Sequence, residues 1–315
     1  MPGPRPYDFA VLAIGVAAVS TAAILIREAD APSLVIAAYR IVLASLPMLA
    51  FTAYRRERLV PRGWDRAALT LFAGVCLALH FAVWIESVKQ TSIVTSVVLV
   101  TTAPLFVALA SGPLLGERPG KAIWYGLGLT LTGTFVMVGE DFGEGSDTIR
   151  GDLYALLGAV FAAAFMLAGR RLLATEGRWL PYSTATYGTA ALVLAAMVLA
   201  SGQTISGFSD ETYMYLVLLA LVPQLIGHTA INRSLGYLPA FAVALAVQGE
   251  PIGSTILATT LLGEVPTTFE LCGSALVLAG VYVGLRPKRE RSSPPGPLSP
   301  STGSGQALRG EGETR

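Results

Sequence analysis

The chain has 315 residues, of which 53% are hydrophobic and only 14% are charged, and its mean hydropathy is +0.60. A soluble domain needs more charged residues than this to cover its surface, so the composition predicts a polytopic membrane protein. The net charge of +1 speaks against a nucleic-acid partner. Both cysteines, Cys76 and Cys272, lie in apolar stretches, which speaks against a disulfide framework.

A helix needs about 20 apolar residues to cross the hydrocarbon core of a bilayer. Stretches of roughly that length recur along the chain at 8–26, 34–54, 66–86, 92–114, 121–139, 152–170, 182–200, 212–231, 239–262 and 268–286. The sequence therefore predicts an all-α membrane protein with ten transmembrane helices, called spans one to ten below. Residues 287–315 are rich in Pro, Ser and Gly, a composition typical of a disordered tail.

One stretch of the chain occurs twice. Residues 101–119 read TTAPLFVALASGPLLGERP and residues 248–266 read QGEPIGSTILATTLLGEVP. An offset of 147 aligns Pro104 with Pro251 and places the two Leu-Leu-Gly-Glu segments on each other. A proline inside an apolar helix frees a backbone carbonyl and bends the helix, so spans four and nine are predicted to be kinked there. Internal duplication of this kind is typical of transporters.

The basic residues predict the orientation of the chain, because cytoplasmic loops are enriched in Lys and Arg. With the N-terminus in the cytoplasm, eighteen of the 22 basic residues lie on the cytoplasmic side. Arg27, Lys89 and Arg150 then lie outside, and Arg40 lies within a span. We therefore predict that both termini are cytoplasmic.

Five spans per copy is an odd number, so the second copy must enter the membrane in the opposite sense. The turn at 117–121 carries two basic residues, whereas its counterpart at 264–268 carries none. An inverted repeat requires this difference, since one turn is then cytoplasmic and the other is outside. We predict two inverted five-helix repeats at 8–139 and 152–286, followed by a cytoplasmic tail at 287–315.

Polar side chains recur at equivalent places in the two halves. An offset of 148 aligns Tyr39 with Tyr187 and His80 with His228. Residues spaced by four lie on one helical face, and this spacing gives spans three and eight a polar stripe each. The stripes consist of Cys76, His80 and Trp84 in span three, and of Gln224, His228 and Asn232 in span eight. Such stripes are expected to face the protein interior or a water-filled cavity.

Two charged residues lie within spans, where a charge costs about 3 kcal/mol on insertion scales. Arg40 is about six residues into span two. Glu250 is near the middle of span nine, two residues after Gln248 and directly before Pro251. Their counterparts in the other half are Gly188 and Ala103. We therefore expect each half to contribute one charged anchor to a shared cavity. Glu250 would then hold a cation, carry a proton, pair with Arg40 or bind an ammonium group.

Structural explanations stay open for several of these residues. Arg40 would equally well extend its side chain to the membrane surface, and each histidine would equally well bond a neighbouring helix. Glu117 and Glu264 lie at helix ends, where they are expected to bond backbone groups. Two histidines without nearby Cys or carboxylate partners speak against a metal site, and the chain carries no phosphate-loop or Gly-x-Ser-x-Gly motif.

These residues resemble a known family. Two five-helix units whose fourth span closes with Leu-Leu-Gly-Glu-x-Pro, together with Arg40 in AAYRIVLASLP and the stretch from His80 to Pro119, are similar to the EamA domain of the drug/metabolite transporter superfamily. The resemblance covers about residues 8–286 and is looser in spans six and seven. It implies ten helices around a central cavity lined by spans one to four and six to nine. It also implies alternating access for amino acids, other metabolites or drugs.

We therefore expect a secondary transporter, not an enzyme, in the cytoplasmic membrane. Its partners would be the bilayer, a small polar or amphipathic substrate such as an amino acid, and protons if Glu250 couples transport; no cofactor is expected. The expected cavity residues are Tyr39, Arg40, His80, Trp84, Tyr187, Gln224, His228, Asn232, Gln248 and Glu250.

Three alternatives remain at this stage. A drug exporter would have an aromatic pocket, and a scaffold would pair its charges and have no cavity. An intramembrane enzyme would need catalytic groups at one depth, whereas His80 is expected nearer the outer face and His228 nearer the inner face. Substrate, direction of transport and oligomeric state are not encoded in any recognisable motif.

Overall fold

The computed structural model describes residues 5–59, 63–91, 93–137, 148–257, 259–260 and 267–286. Within these ranges the regular elements are helices, and none of the described residues forms a strand. The α-helices are α1 (Pro6–Val19), α2 (Ala22–Glu28), α3 (Ser33–Tyr54), α4 (Trp64–Gln90), α5 (Ile93–Val100), α6 (Ala103–Leu115), α7 (Lys121–Met137), α8 (Thr148–Glu176), α9 (Trp179–Ser201), α10 (Asp210–Leu219), α11 (Thr229–Ser234), α12 (Ala240–Val247), α13 (Glu250–Leu257) and α14 (Thr268–Leu285). A π-helical segment, Ala220–His228, joins α10 to α11.

Eight helical stretches of the described chain are long and apolar enough to cross a membrane. They are Pro6–Glu28, Ser33–Tyr54, Trp64–Gln90, Thr95–Leu115, Ile149–Thr175, Trp179–Ser201, Asp210–Ser234 and Ala240–Leu257. Each corresponds to one predicted span, and the all-α prediction is confirmed. The remaining two predicted spans coincide with α7 and α14, which are helical but are not among the eight.

Helix ends follow the local chemistry of the chain. Pro32 and Pro239 immediately precede α3 and α12, where a missing N–H group is tolerated. The hydroxyl of Ser209 accepts a hydrogen bond from the backbone N–H of Thr212 at 3.2 Å and caps α10. Gly116 ends α6 with φ at 70°, a left-handed conformation that glycine adopts without a Cβ clash.

The two predicted kinks are complete interruptions of the helix. Residues 101–102 separate α5 from α6, and residues 248–249 separate α12 from α13. These breaks lie at equivalent places, since the offset of 147 maps one onto the other. In each case a proline follows, and it has no N–H to donate to the carbonyl four residues earlier, at Val100 or Val247. The repeated prolines therefore divide both spans into two shorter helices.

Packing between the two predicted halves follows one pattern applied twice. Helix α4 packs on α8 and α9, and correspondingly the π-helical segment packs on α1 and α3. Helix α6 packs on α8, and α12 and α13 pack on α1. Helix α3 packs on α9, and α7 packs on α14. In both pairs the two helices are equivalent members of the two halves. The apolar core between these helices includes Phe81, Ile36, Leu77, Leu194 and Leu216.

Helices α7 and α14 approach each other through glycines. A Cβ atom added to Gly126 would lie 2.6 Å from the carbonyl oxygen of Gly280, and one added to Gly133 would lie 2.6 Å from that of Gly273. Gly126 contacts Gly280, whereas Gly133, further along α7, contacts Gly273, which is earlier in α14. The two helices are therefore antiparallel. Close backbone approach through small residues is the usual mode of helix association in lipid.

Several sequence-based predictions fall outside the described residues. They concern the second Gly-Glu-x-Pro turn at 263–266, including Glu264, most of the acidic loop at 140–152, and the tail at 287–315. The disorder predicted for the tail, like the repeat boundaries at 8–139 and 152–286, stays a prediction.

Candidate functional site

A cavity lies at the centre of the helices, where both interrupted spans meet. Its volume is about 80 Å³. Its lining comes from α1 to α6, α8, the π-helical segment and α11 to α13. Span seven (α9), expected among the lining spans, contributes none of the lining residues. The polar members of the lining are Arg40, His80, Trp84, Thr101, His228, Gln248 and Glu250.

Arg40 is completely buried and lines this cavity. Its Nε donates a hydrogen bond to Oε1 of Gln224 at 2.9 Å. The guanidinium lies over the ring of Phe81, with Cζ 4.2 Å from the ring centroid, and 5.9 Å from that of Trp84. Cation–π contacts of this kind partly compensate a desolvated charge. The alternative that Arg40 extends to the membrane surface is therefore wrong.

The two terminal nitrogens of Arg40, Nη1 and Nη2, have no hydrogen-bond acceptor among the described residues. Leaving a buried donor unsatisfied costs about 1–3 kcal/mol, and more for a charged group. Three further atoms in the lining also have no hydrogen-bond partner among the described residues, namely Nε1 of Trp84, Nδ1 of His228 and the acceptor Oε1 of Gln248. Unsatisfied groups gathered around one cavity are typical of a site that binds a polar ligand or water.

Glu250 supplies the opposite charge. It is 8% exposed, lines the cavity and begins α13 directly after the break at 248–249. An acidic residue in the first turn of a helix interacts favourably with the helix dipole. Because Nη1 and Nη2 of Arg40 have no hydrogen-bond partner, Glu250 does not form a direct ion pair with them. The cavity thus holds one cation from the first half of the chain and one anion from the second.

The two histidines both contact the ring of Phe81. The ring of Phe81 is 4.9 Å from that of His80 and 5.2 Å from that of His228, and both histidines line the cavity. His80 also stacks on Trp84 at 5.9 Å. Its Nδ1 is 2.9 Å from the carbonyl oxygen of Gly158. The difference in depth expected between the two histidines stays a prediction.

A buried polar network lies behind Arg40. Asn232 donates to the Ser183 hydroxyl at 3.3 Å and to the Tyr187 hydroxyl at 3.5 Å, and Tyr187 lies 3.2 Å from the Thr229 hydroxyl. Gln224 belongs to this layer through its bond to Arg40. Tyr187, Gln224 and Asn232, which the sequence predicted to line the cavity, therefore contact Arg40 or each other and are not part of the lining.

Tyr39 lies away from this site. Its hydroxyl donates to the carbonyl oxygen of Ile205 at 2.8 Å, and its ring contacts that of Tyr213. Gln248, by contrast, lies in the lining and donates to the Thr130 hydroxyl of α7 at 3.4 Å. Pro104 also lines the cavity, and Pro251 is buried beside Glu250.

The π-helical segment carries Gln224 and His228. Pro223 lies inside it, so the usual helical hydrogen bond is missing there. The hydroxyl of Thr229 reaches back to the carbonyl oxygen of Gln224 at 3.5 Å. Short π segments occur frequently at functional sites, because they change the direction of side chains on an otherwise regular helix. The sequence signal was the proline one residue before Gln224.

Some lining residues carried no usable sequence signal. Phe165 and Met166 line the cavity from α8, but they resemble every other apolar residue of that span. Thr101 lines it at the first helix break, within the repeated stretch. Phe81 neighbours His80 in sequence, yet its role as the platform for Arg40 depends on the packing of α3 against α4.

On the predicted cytoplasmic face, Glu117 connects distant helices. Its carboxylate accepts hydrogen bonds from Nε of Arg170 at 2.6 Å and from the backbone N–H of Ala240 at 3.2 Å. Arg170 also donates to the carbonyl oxygen of Leu235 at 2.9 Å. Glu117 bonds a backbone group, as expected of a glutamate at a helix end, but the helix that it caps is α12 and not its own.

Comparisons with known proteins agree with this architecture. The model of the EamA-like transporter family matches residues 7–139 and again residues 149–286. An uncharacterized transporter, YdfC, from Bacillus subtilis (strain 168) is 25% identical over 78% of this chain and 79% of its own length. An uncharacterized transporter from Archaeoglobus fulgidus is 26% identical over 79% of this chain and 86% of its own length.

One solved crystal structure shares the fold. Its TM-score is 0.74 at 18% sequence identity, and the match covers 90% of this chain and 98% of the other. The two family matches together cover most of the chain, and eight of its helices are apolar and long enough to cross a membrane. The chain belongs to the EamA-like transporter family and is a multi-pass membrane protein.

Proposed function

We propose that the protein is a secondary transporter that moves a small polar or amphipathic metabolite, such as an amino acid, across the cytoplasmic membrane by alternating access. The observation that carries this proposal is the cavity in which Arg40 and Glu250 present opposite charges. Buried charges inside a membrane are costly and are usually retained for a function. Two of them at one cavity favour transport over a purely structural role.

The chemistry of the cavity favours a substrate with both charges. The unsatisfied Nη1 and Nη2 of Arg40 would bind a carboxylate, which suits the planar geometry of a guanidinium. Glu250 would bind an ammonium group, and the apolar side chains of Phe165 and Met166 would contact the rest of the molecule. In this arrangement Gln224 and Phe81 hold the Arg40 side chain in place.

The cavity is smaller than the few hundred cubic ångströms typical of ligand sites. With about 30 Å³ for each water molecule, its 80 Å³ would hold about three of them. Transport of a metabolite therefore requires the two halves to separate and widen it. The contacts of Glu117 with Arg170 and Ala240 join those halves on the predicted cytoplasmic face and would have to break when the cavity opens there.

Ten spans in two inverted five-helix repeats are part of this proposal. The antiparallel pair α7 and α14 supports it, because the contacts Gly126–Gly280 and Gly133–Gly273 exchange with each other under the offset of 147. A two-fold axis that exchanges antiparallel helices is perpendicular to them and hence lies in the membrane plane. That is the relation between inverted repeats.

The orientation can be tested by labelling. In a chain with Cys76 and Cys272 replaced by Ala, single cysteines are placed after Arg118 and after Val265. A maleimide that cannot cross the membrane should label the second site in intact cells and the first only after lysis. Labelling of both sites from the same face would contradict the inverted repeat, and labelling of the first site in intact cells would contradict cytoplasmic termini.

The transport function can be tested in vesicles that contain the purified protein. Uptake of a panel of amino acids is measured with and without a pH gradient, against vesicles that contain the Arg40→Gln variant. Uptake of at least one amino acid that depends on Arg40 supports the proposal. If no amino acid is taken up, the amino-acid class is excluded, and the same vesicles are used for other substrates.

A drug exporter is the second candidate function. The aromatic and apolar lining favours it, since Trp84 and Phe165 would stack on a hydrophobic cation near Glu250. Uptake of a fluorescent hydrophobic cation that requires Glu250 but not Arg40 would favour this alternative. A scaffold is less well supported, because the two charges surround a cavity and are not paired with each other.

A further inference from the structure

A large groove lies on the side of the molecule between α4, α6 and α8. Its volume is about 980 Å³, compared with about 80 Å³ for the central cavity. Apolar side chains form most of its lining, and they include Leu69, Phe72, Phe106, Leu109, Ala164 and Leu167. We call it the α4/α6/α8 groove. It shares no lining residue with the central cavity.

The groove is open to the bilayer. Phe72 is 50% exposed, Leu109 is 58% exposed and Val160 is 41% exposed. Exposed apolar side chains on the spans of a membrane protein contact the acyl chains of lipids. The groove therefore has the shape and the polarity to hold an acyl chain along its length.

One end of the groove is charged. Arg66 from the start of α4 and Arg171 from near the end of α8 line it there, together with Asp65 and Thr175. Nη1 of Arg171 donates to the carbonyl oxygen of Leu114 at 3.0 Å, which positions the guanidinium at the end of α6. Of the described residues that line this end, two are arginines and one is an aspartate.

The charged end lies where a lipid headgroup would be. Arg66 and Arg171 both belong to the predicted cytoplasmic face. Trp64, two residues before Arg66 on α4, is 84% exposed, as is typical of tryptophans at the membrane–water interface. Basic pockets between transmembrane helices on the cytoplasmic side characteristically bind anionic headgroups.

We propose that the α4/α6/α8 groove is a binding site for an anionic phospholipid. One acyl chain lies among Phe72, Leu109 and Ala164, and the phosphate interacts with Arg66 and Arg171. Because α4 and α6 belong to the first predicted repeat and α8 to the second, the bound lipid contacts both halves. The site does not depend on which substrate occupies the central cavity.

The test compares two lipids with identical acyl chains, phosphatidylglycerol and phosphatidylcholine, added to the purified full chain in detergent. Native mass spectrometry counts the bound lipids, and a titration gives the affinities. We expect phosphatidylglycerol to bind about tenfold more tightly than phosphatidylcholine. The variant Arg66→Gln/Arg171→Gln should lose this preference, whereas Arg118→Gln, an exposed arginine on the same predicted face but outside the groove, should keep it.

A second variant tests the acyl-chain part of the groove. Ala164→Phe fills the groove without changing its charge and should weaken binding of both lipids about equally. This variant, with the comparison of lipids on the wild-type chain, decides the question even if the double arginine variant does not fold. Elution volume in gel filtration identifies folded samples.

Four outcomes would overturn the proposal. They are equal binding of the two lipids to the wild-type chain, a preference that survives in Arg66→Gln/Arg171→Gln, binding that survives in Ala164→Phe, and displacement of the lipid by an equal concentration of glycerol phosphate. The last would mean that the site binds a soluble phosphate. Groove variants that lower uptake while lipid binding is unchanged would assign the groove to the substrate path instead.

Discussion

The interrupted spans α5–α6 and α12–α13 have the same backbone plan and different chemistry. Both leave the helix for two residues at equivalent places, and both continue into a helix with a proline in its first turn. At the position before the proline, however, the first span has Ala103 and the second has Glu250, and both of these residues line the cavity. Repetition therefore supplies the scaffold of the site, and the departures from repetition supply its charges.

Arg40 extends this comparison to the neighbouring helices. Its counterpart in the second half is Gly188, which does not line the cavity, and a Cβ atom added to Gly188 would meet no other atom within 4 Å. The first half thus provides the cation and the second half the anion. Four predictions would break or sharpen this contrast.

The largest effect is expected from Glu250→Gln. The variant keeps the size of the side chain but removes its charge, so transport should fall about tenfold or more because the ammonium group of the substrate loses its partner. The pH dependence of the remaining activity between about pH 5 and pH 8 should become flat if Glu250 also carries the proton. Uptake into vesicles at several pH values measures both effects.

The matched control for Glu250→Gln is Ala103→Gln, which places the same side chain at the equivalent position of the other span. It should reduce uptake by less than about threefold, since only cavity volume is lost. If both variants lose the same activity, crowding and not charge explains the result. If Glu250→Gln retains wild-type uptake at every pH, Glu250 has no role in coupling.

Arg40→Lys is expected to lower substrate affinity about fivefold to tenfold although it retains the positive charge. A lysine cannot hydrogen-bond Gln224, stack on Phe81 and present two further donors in one plane. The apparent KM for uptake reports this loss. Gly188→Gln, at the equivalent position of the second half, should leave KM unchanged, and an equal rise in both variants would contradict the assignment of Arg40.

Pro104→Ala and Pro251→Ala should each reduce the transport rate by about twofold to fivefold, and by similar amounts. Alanine restores an N–H that can bond the carbonyl oxygen of Val100 or Val247, so the helix tends to continue through the break. Uptake rates corrected for the amount of folded protein measure the effect. A large loss in only one variant would show that the two breaks are not functionally equivalent.

The smallest effect on transport, and a clear one on stability, is expected from Gly126→Leu. Its side chain would collide with the backbone of Gly280, so the chain should be destabilised by about 1–3 kcal/mol. Gly128→Leu is the control, because a Cβ atom added there meets no other atom within 4 Å. The melting temperatures of Gly126→Leu and Gly128→Leu are compared by thermal unfolding in detergent. Equal melting temperatures would contradict the close packing of α7 on α14.

Much of the central site could be predicted from the sequence because burial in a membrane makes polar residues conspicuous. Arg40, His80, Trp84, His228, Gln248 and Glu250 all line one cavity. The alignment of Tyr39 with Tyr187 predicts equivalent roles for the two tyrosines, yet only Tyr187 contacts the polar layer. Alignment of repeats identifies equivalent positions, but it does not determine which neighbours those positions meet.

The amino-acid sequence alone determined the helical class, the eight apolar helices that can cross a membrane and the two helix breaks. Each of these depends on local properties, namely the length of apolar runs and the missing N–H of proline. Only the tertiary structure decided that His80 and His228 share the ring of Phe81, that Arg40 is held by Gln224, and that Glu117 caps α12. These contacts join residues far apart in the chain, so they depend on how whole helices pack, which no local pattern encodes.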